Sequence, residues 1–263
     1  MAANESSMPF IRNLASSDRK IRTSALESLR TFLSAAATSS RLTHLDNLKL
    51  WKGLYYSLWM CDRPIPQQNL CAELAGLLDV LPDDAVAPWL AGFWEIIGRE
   101  WTNIDVLRLE KFLLLVRRVM GASLAWVASA LSDGEEAARK DRRIDALLDT
   151  LASWPLDTSD DLSRVPVGLR LHVLDIWIDE AEKSGLLDNE KTGEAGRQFV
   201  DRLGQLIKAQ TKSTCKPVRL RAKETLTDDR LPWNSDNAED GEVEKTGSKS
   251  ASGDKDSWDG FED

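Results

Sequence analysis

"LKLWKGLYYSLWMCDRPIPQQ", residues 48–68, carries two helical stripes side by side. Leu48, Trp51, Tyr55 and Leu58 recur at i, i+3, i+7 and i+10, the spacing of a helix face turned into a core. Lys52, Tyr56, Trp59 and Arg63 follow a second line at i, i+4, i+7 and i+11. An aromatic and basic stripe can grip a protein groove or a phosphate backbone through stacking and cation–π contact. The same residue types also serve to shield exposed rings with lysine and arginine stems. Pro64 and Pro66 then end the helix, because proline lacks the amide donor and disfavours helix at the residue before it.

The same periodicity extends in both directions, with no alternation of strand type. "SSDRKIRTSALESLRTFLSAAA" opens on a Ser/Asp cap and puts Ile21, Ala25, Leu29 and Phe32 on one face, with Leu26 and Leu33 widening it. Further helices are predicted over about 44–62, 67–80 and from "LPDD" at 81–84 to about 99. "TNIDVLRLEKFLLLVRRVM" is the next, capped by Thr102 or Asn103. Weaker segments cover 122–131 and 134–152, and "WPLDTSDDLSRVP", 154–166, reads as a loop. Helices resume at about 167–184, 194–210 and 217–226. These lengths and short links predict an all-α protein, an array of antiparallel amphipathic helices of HEAT or armadillo type. No repeat of fixed period is visible. Residues 1–233 form the helical-repeat-like body. Residues 234–263 are polar, acidic and low in complexity, and are expected to be a disordered acidic C-terminal tail.

A net charge of −9 for the 263 residues conceals this division. The tail holds ten Asp/Glu and three Lys, leaving the body with 33 acids and 31 bases. A nearly balanced body says nothing by its sign about nucleic acid, so clustering carries the argument. Three cysteines without a C-x-x-C pair argue against a disulfide framework or a thiolate zinc site and fit a reducing compartment. No secretory signal is seen, nor a run approaching a membrane span, so a soluble intracellular protein is expected.

Three basic clusters stand out. In "EWTNIDVLRLEKFLLLVRRV", Arg108, Lys111 and Arg118 share a face opposite Leu109, Phe112, Leu113 and Val116, with Asp105 one turn before Arg108 and able to pair with it. "RKDRR" at 139–143 is partly neutralised by neighbouring acids. "KAQTKSTCKPVRLRAK", 208–223, is the most asymmetric: Lys208, Lys212, Lys216, Arg219, Arg221 and Lys223 precede any acid. Uncompensated charges of this kind attract phosphate by releasing counterions. A nuclear-import signal or a solvated helix end would look the same.

Catalytic residues are scarce. Only His44 and His172 are available as imidazoles. "HVLD" places His172 and Asp175 on one face, best read as a His–Asp hydrogen bond beside Trp177, since no further His or Cys completes a metal set. No P-loop, dinucleotide fingerprint, nucleophile elbow or H-E-x-x-H occurs. No enzyme, cofactor, metal or small-molecule substrate is expected.

The blocks "MPFIRNLASSDRKIR", "LWKGLYYSLWMCDRPIPQQ", "EWTNIDVLRLEKFLLLVRRV", "VPVGLRLHVLDIWIDE" and "KPVRLRAKETLTDDRLPW", in that order, resemble the eukaryotic ribosomal RNA processing protein 1 family. The resemblance covers Met8 to Trp233. It implies a helical-repeat-like fold and a nuclear, nucleolar assembly factor of the large ribosomal subunit precursor. Such a factor supports pre-ribosomal RNA processing without catalysing it, and its partners are the pre-ribosomal particle, other assembly factors and ribosomal proteins. Some relatives carry long basic extensions where this chain has a short acidic stretch, so no role of such an extension is transferred. Direct contact with pre-ribosomal RNA is expected at the basic stretches. A purely protein-binding adaptor in the same particle is the alternative.

Overall fold

The computed structural model describes residues 10–35, 39–131 and 136–234; the expected tail falls outside these except for Asn234. Among the described residues all regular structure is helical. The helices are α1 Phe10–Leu14, α2 Arg19–Ser34, α3 His44–Trp59, α4 Pro64–Ala75 and α5 Asp83–Glu100. They continue with α6 Val106–Leu131, α7 Ala137–Ser153, α8 Val167–Lys183, α9 Asn189–Gln210 and α10 Lys216–Thr225. Short 3-10 turns at Gly76–Val80 and Trp101–Asn103 lead into or out of α5.

Local chemistry sets several of the boundaries. Asp18 caps α2 by accepting from the Lys20 amide at 2.7 Å. Thr43 and Asp46 close a capping box at the start of α3. The helix predicted over 67–80 in fact begins at Pro64, where proline in the first turn loses no intrahelical bond. Its last residues tighten into the 3-10 turn. The segments predicted to end at Met120 and restart at Ala122 are one 26-residue helix, α6. Gly121 lies where they join, and a Cβ there would sit 2.5 Å from Glu180 Oε2, so it serves close packing and does not break the helix. By length and composition α6 could cross a bilayer. Here Phe112, Leu115, Val116, Val119 and Leu124 are buried in the core instead.

The strongest packings skip one helix. α4 lies on α6, α6 on α8 and α8 on α10, while α3 lies on α5, with weaker α5–α7 and α7–α9 contacts. The register of the first series is parallel. Cys71 meets the Lys111 carbonyl. His172 then meets Leu113, and Arg117 meets Asp179 and Glu180. Asp175 pairs with Arg221, and Trp177 donates to Thr225 at 2.8 Å. Two layers of alternate helices, parallel within a layer and antiparallel between neighbours in the chain, are the HEAT-like arrangement expected. A continuous core joins them from Phe10 to Leu231.

The opening stretch forms the α3 contribution to that core. Trp51, Tyr55 and Leu58 are buried as expected, and Leu48 is half-buried. Trp51 stacks near Trp89 and Phe93 at centroid separations of 4.8 and 4.9 Å and donates to the Trp89 carbonyl at 2.9 Å. Such aromatic pairs add about 0.5–1.5 kcal/mol each beyond their area burial. In α2, Ile21 is exposed; Arg22 is buried instead, closing the chain by donating to the Ser16 and Ser17 carbonyls.

Candidate functional site

The C-terminal end of α3, the first turn of α4 and the first turn of α6 meet at one corner, bringing together two stretches that sequence spacing treated separately. Trp59 is half-buried there, with the Arg108 guanidinium 4.9 Å from its ring centroid and Phe112 beneath it at 6.2 Å. Arg108 also meets Asp105 at 3.3 Å, as the sequence suggested. Lys52 pairs with Glu100 on α5 and lies 5.2 Å from the Tyr56 ring centroid. Tyr56 and Arg63 are exposed. Arg63 falls beyond α3, at the N-cap of α4, so the helical stripe runs only from Lys52 to Trp59, and of its two charges Lys52 is paired while Arg63 is exposed.

Lys111 corrects the expectation of a solvated basic face. It is only 4% exposed, and its Nζ donates to the Trp59 and Cys61 carbonyls at 2.8 and 2.9 Å, with Asp62 at 3.6 Å. The Trp59 carbonyl ends α3 and the Cys61 carbonyl lies just beyond it, where it also accepts from Gln67 Nε2 at 2.7 Å; the ammonium bridges the two. Burial lowers the Lys111 pKa, against the opposing pull of Asp62. The parallel packing of α6 on α4 turns this position inward, which a single helix cannot reveal. Arg118 is exposed two turns further along, away from Arg108, in a separate groove with α7.

Beside Asp62 and Arg63 the corner also exposes apolar side chains. Leu107 is 87% exposed, Val106 77% and Ile65 72%, with Met60 beside them on the end of α3. Bare aliphatic side chains beside Arg63 and Tyr56 make a surface suited to a protein partner. Spacing analysis missed these residues because Val106 and Leu107 look like the start of an amphipathic helix.

The second predicted stretch runs from the last turn of α9 through the turn at 211–215 and along α10. Its charge is also partly spent. Arg219 donates to the Ser213 and Thr214 carbonyls at 2.7 Å each, and Arg221 pairs with Asp175 and Glu224. Lys208, Lys212, Lys216 and Lys223 are exposed, with no ion pair among the described residues. The turn is held firmly. Fully buried Arg170 reaches Asp160 and Gln210, and Asp160 accepts from Ser213 Oγ at 2.5 Å and the Thr214 amide at 2.6 Å. The Ser213 and Thr214 hydrogen bonds lower the Asp160 pKa. Asp160 adopts φ +56°, a strained left-handed conformation that these bonds stabilise. The loop at 154–166 thus anchors the lysine-bearing turn.

A family profile described as "Nucleolar protein, Nop52" matches residues 5–260. The chain belongs to the Nop52 family of nucleolar proteins. Nuclear and nucleolar localisation accompanies that membership. Among relatives, ribosomal RNA processing protein 1 homolog A of Mus musculus is 34% identical over 206 residues, 77% of this chain and 39% of the relative. The Homo sapiens homolog A is 33% identical over 77% of this chain and 42% of its own length. Homo sapiens homolog B is 32% identical over 76% of this chain and 25% of its own. This Nop52-family chain therefore spans about two fifths or less of these relatives.

The two histidines of the Nop52-family chain are engaged with neighbours. His172 Nε2 donates to the Leu113 carbonyl at 2.9 Å and not to Asp175, which Arg221 has taken. Burial lowers the His172 pKa, so the neutral ring is favoured in the fold. His44 Nε2 lies 2.8 Å from Glu95 Oε2. Burial pushes the Cys71 thiol up to about 12, leaving it protonated and unreactive at neutral pH. Among the described residues no three His, Cys, Asp or Glu side chains are grouped to hold a metal ion.

Proposed function

We propose that this chain is a non-catalytic assembly factor of the nuclear large ribosomal subunit precursor, which holds pre-ribosomal RNA and neighbouring assembly factors in one geometry. Family membership and the names of the relatives support a role in ribosome biogenesis. RNA cleavage is left to separate nucleases, which act once the precursor has the correct shape. Contacts completed only in that shape shift the RNA population toward it. Residues 1–233 supply the binding body.

The observation that carries the RNA reading is that Lys208, Lys212, Lys216 and Lys223 stay exposed along the end of α9, the following turn and α10, with the turn itself fixed by Asp160 and Arg170. Rigid placement of exposed ammonium groups lowers the entropy lost on meeting a phosphate backbone. Ultraviolet crosslinking of the tagged protein in growing cells, with sequencing of attached RNA and residue mapping, tests it. Crosslinks to large-subunit precursor RNA through residues 208–223 are expected. Enrichment with those particles without crosslinks above background refutes direct RNA contact.

A protein-only adaptor is favoured by a different observation, the bare Ile65, Val106 and Leu107 corner. Replacing Arg63 by Glu and Val106 and Leu107 by Asp should strip assembly factors from the protein while leaving its helix content unchanged. Loss of particle association from this variant, with none from the lysine variants, favours the adaptor.

A further inference from the structure

Between α4, α6 and the first turns of α7 lies a groove of about 860 Å³, within the roughly 300–1,000 Å³ typical of sites that enclose compact ligands. Ala75, Leu78, Ala122 and Trp126 give it an apolar floor. Arg143 stands over Trp126, 4.9 Å from the ring centroid, and donates to the Trp126 carbonyl at 2.8 Å. Arg139 and Arg143 both bind Asp83, at 2.8 and 2.7 Å. Burial would raise the Asp83 carboxyl, but these two arginines outweigh it and hold it below its ordinary range. Arg118 on α6 and Arg142 on α7 also line it, are exposed and have no ion pair among the described residues. The groove is therefore an apolar trough lined by two exposed arginines and one exposed carboxylate, Asp79.

We propose that this groove docks the chain's own acidic segment 254–263, seating Trp258 and Phe261 on the apolar floor and its carboxylates against Arg118 and Arg142. The segment reads "DKDSWDGFED", five acids and one lysine around two rings three positions apart. Its charge complements the rim, and its rings match the floor around Trp126. Reach is sufficient. Trp233 packs on Gly204 of α9, two residues from Arg202, which pairs with Asp145 of α7 at 2.7 Å. Arg142 lies one turn before Asp145 on α7. Trp233 is thus about two helix diameters, roughly 20–25 Å, from the groove. About two dozen residues separate Trp233 from Trp258, and a flexible linker of that length spans roughly 25–30 Å root-mean-square. Tethering at that distance gives a high effective concentration, so weak contacts suffice. An acidic, aromatic peptide of a partner would compete for the same trough, so the segment would regulate access to it. This inference does not depend on RNA binding at residues 208–223.

The test is nuclear magnetic resonance of the ¹⁵N-labelled 263-residue chain. At about 50 mM salt the amides of Trp258 to Phe261 should be shifted from random-coil positions and broadened about twofold or more. The double variant Arg118→Glu/Arg142→Glu, at exposed positions, should return them to sharp random-coil signals with unchanged helix content. Adding Asp256→Lys/Asp259→Lys to that variant should restore the shifts by charge reversal. Random-coil signals in the unmodified chain overturn the proposal, and shifts unaffected by the arginine variant overturn the choice of groove. Shifts that grow with protein concentration would assign the groove to the segment of a second copy, which overturns docking within one chain.

Discussion

The corner of α3, α4 and α6 and the turn between α9 and α10 look alike in sequence, each a run of basic residues among helical apolar positions. Folding gives them opposite characters. At the corner, Lys111 is buried on two carbonyls, Arg108 covers Trp59 and Lys52 is paired with Glu100, so of the predicted cations only Arg63 stays exposed, beside bare aliphatic side chains. Around the turn and along α10, two arginines are consumed and four lysines stay exposed. Basic composition therefore marks a charged surface only where the packing partner offers no carbonyls or carboxylates to absorb it.

The sharpest way to break this contrast is Lys111→Met. It removes the ammonium donor to the Trp59 and Cys61 carbonyls; Cys61 keeps its bond from Gln67 but the Trp59 carbonyl loses its donor, which should lower unfolding free energy by about 2 kcal/mol. Chemical denaturation measures it, and a change within experimental error would return Lys111 to the surface set. Gly98→Ala tests how the loop behind the lysine turn is seated. A Cβ there would lie 2.7 Å from the Arg164 carbonyl oxygen, so a loss of about 1–2 kcal/mol is expected from overpacking.

Reversing Lys208, Lys212, Lys216 and Lys223 to Glu should act in the other direction. Stability should move by less than about 0.5 kcal/mol, while affinity for structured RNA falls at least about tenfold and its salt dependence flattens. A denaturation curve beside a salt-titrated binding assay separates the two effects. If stability collapses instead, those lysines are structural and the contrast fails.

The smallest effect is a pH response at His172. Its folded pKa is lowered by burial, with Arg117 working in the same direction and the Leu113 bond and Asp175 opposing. The unfolded chain therefore takes up the proton first as pH falls through the ordinary histidine value of about 6.5. Stability should be full above that value and decline below it, by less than about 1 kcal/mol near pH 5.5. His172→Gln, which keeps a donor for Leu113, should remove that part of the slope in urea titrations. An unchanged slope would assign it to other groups.

Much of the fold was legible because helical periodicity depends on local spacing. Trp51, Tyr55 and Leu58 declare a buried face through their own intervals, and their burial follows. The cap at Asp18 was equally plain, since it needs only neighbours in the chain. Misreadings arose where a distant element decided. Gly121 suggested a break until Glu180 on α8 gave it a packing role, and Ile21 looked buried although Arg22 faces inward. His172 pointed to Asp175 by spacing, but Arg221, nearly fifty positions away, holds that carboxylate.

By itself the sequence determined that the chain is an array of amphipathic helices, where most of them begin and end, and which family vocabulary it carries. These follow from hydrogen bonds and side-chain contacts within a few residues. Only the tertiary structure decided which cations remain available, because a lysine or arginine is spent or exposed according to what the next layer presents to it. The α4–α6 register placed Lys111 beneath two carbonyls, and α8 took Arg221 out of the basic run. The α6–α7 pairing set Arg118 and Arg142 along one trough.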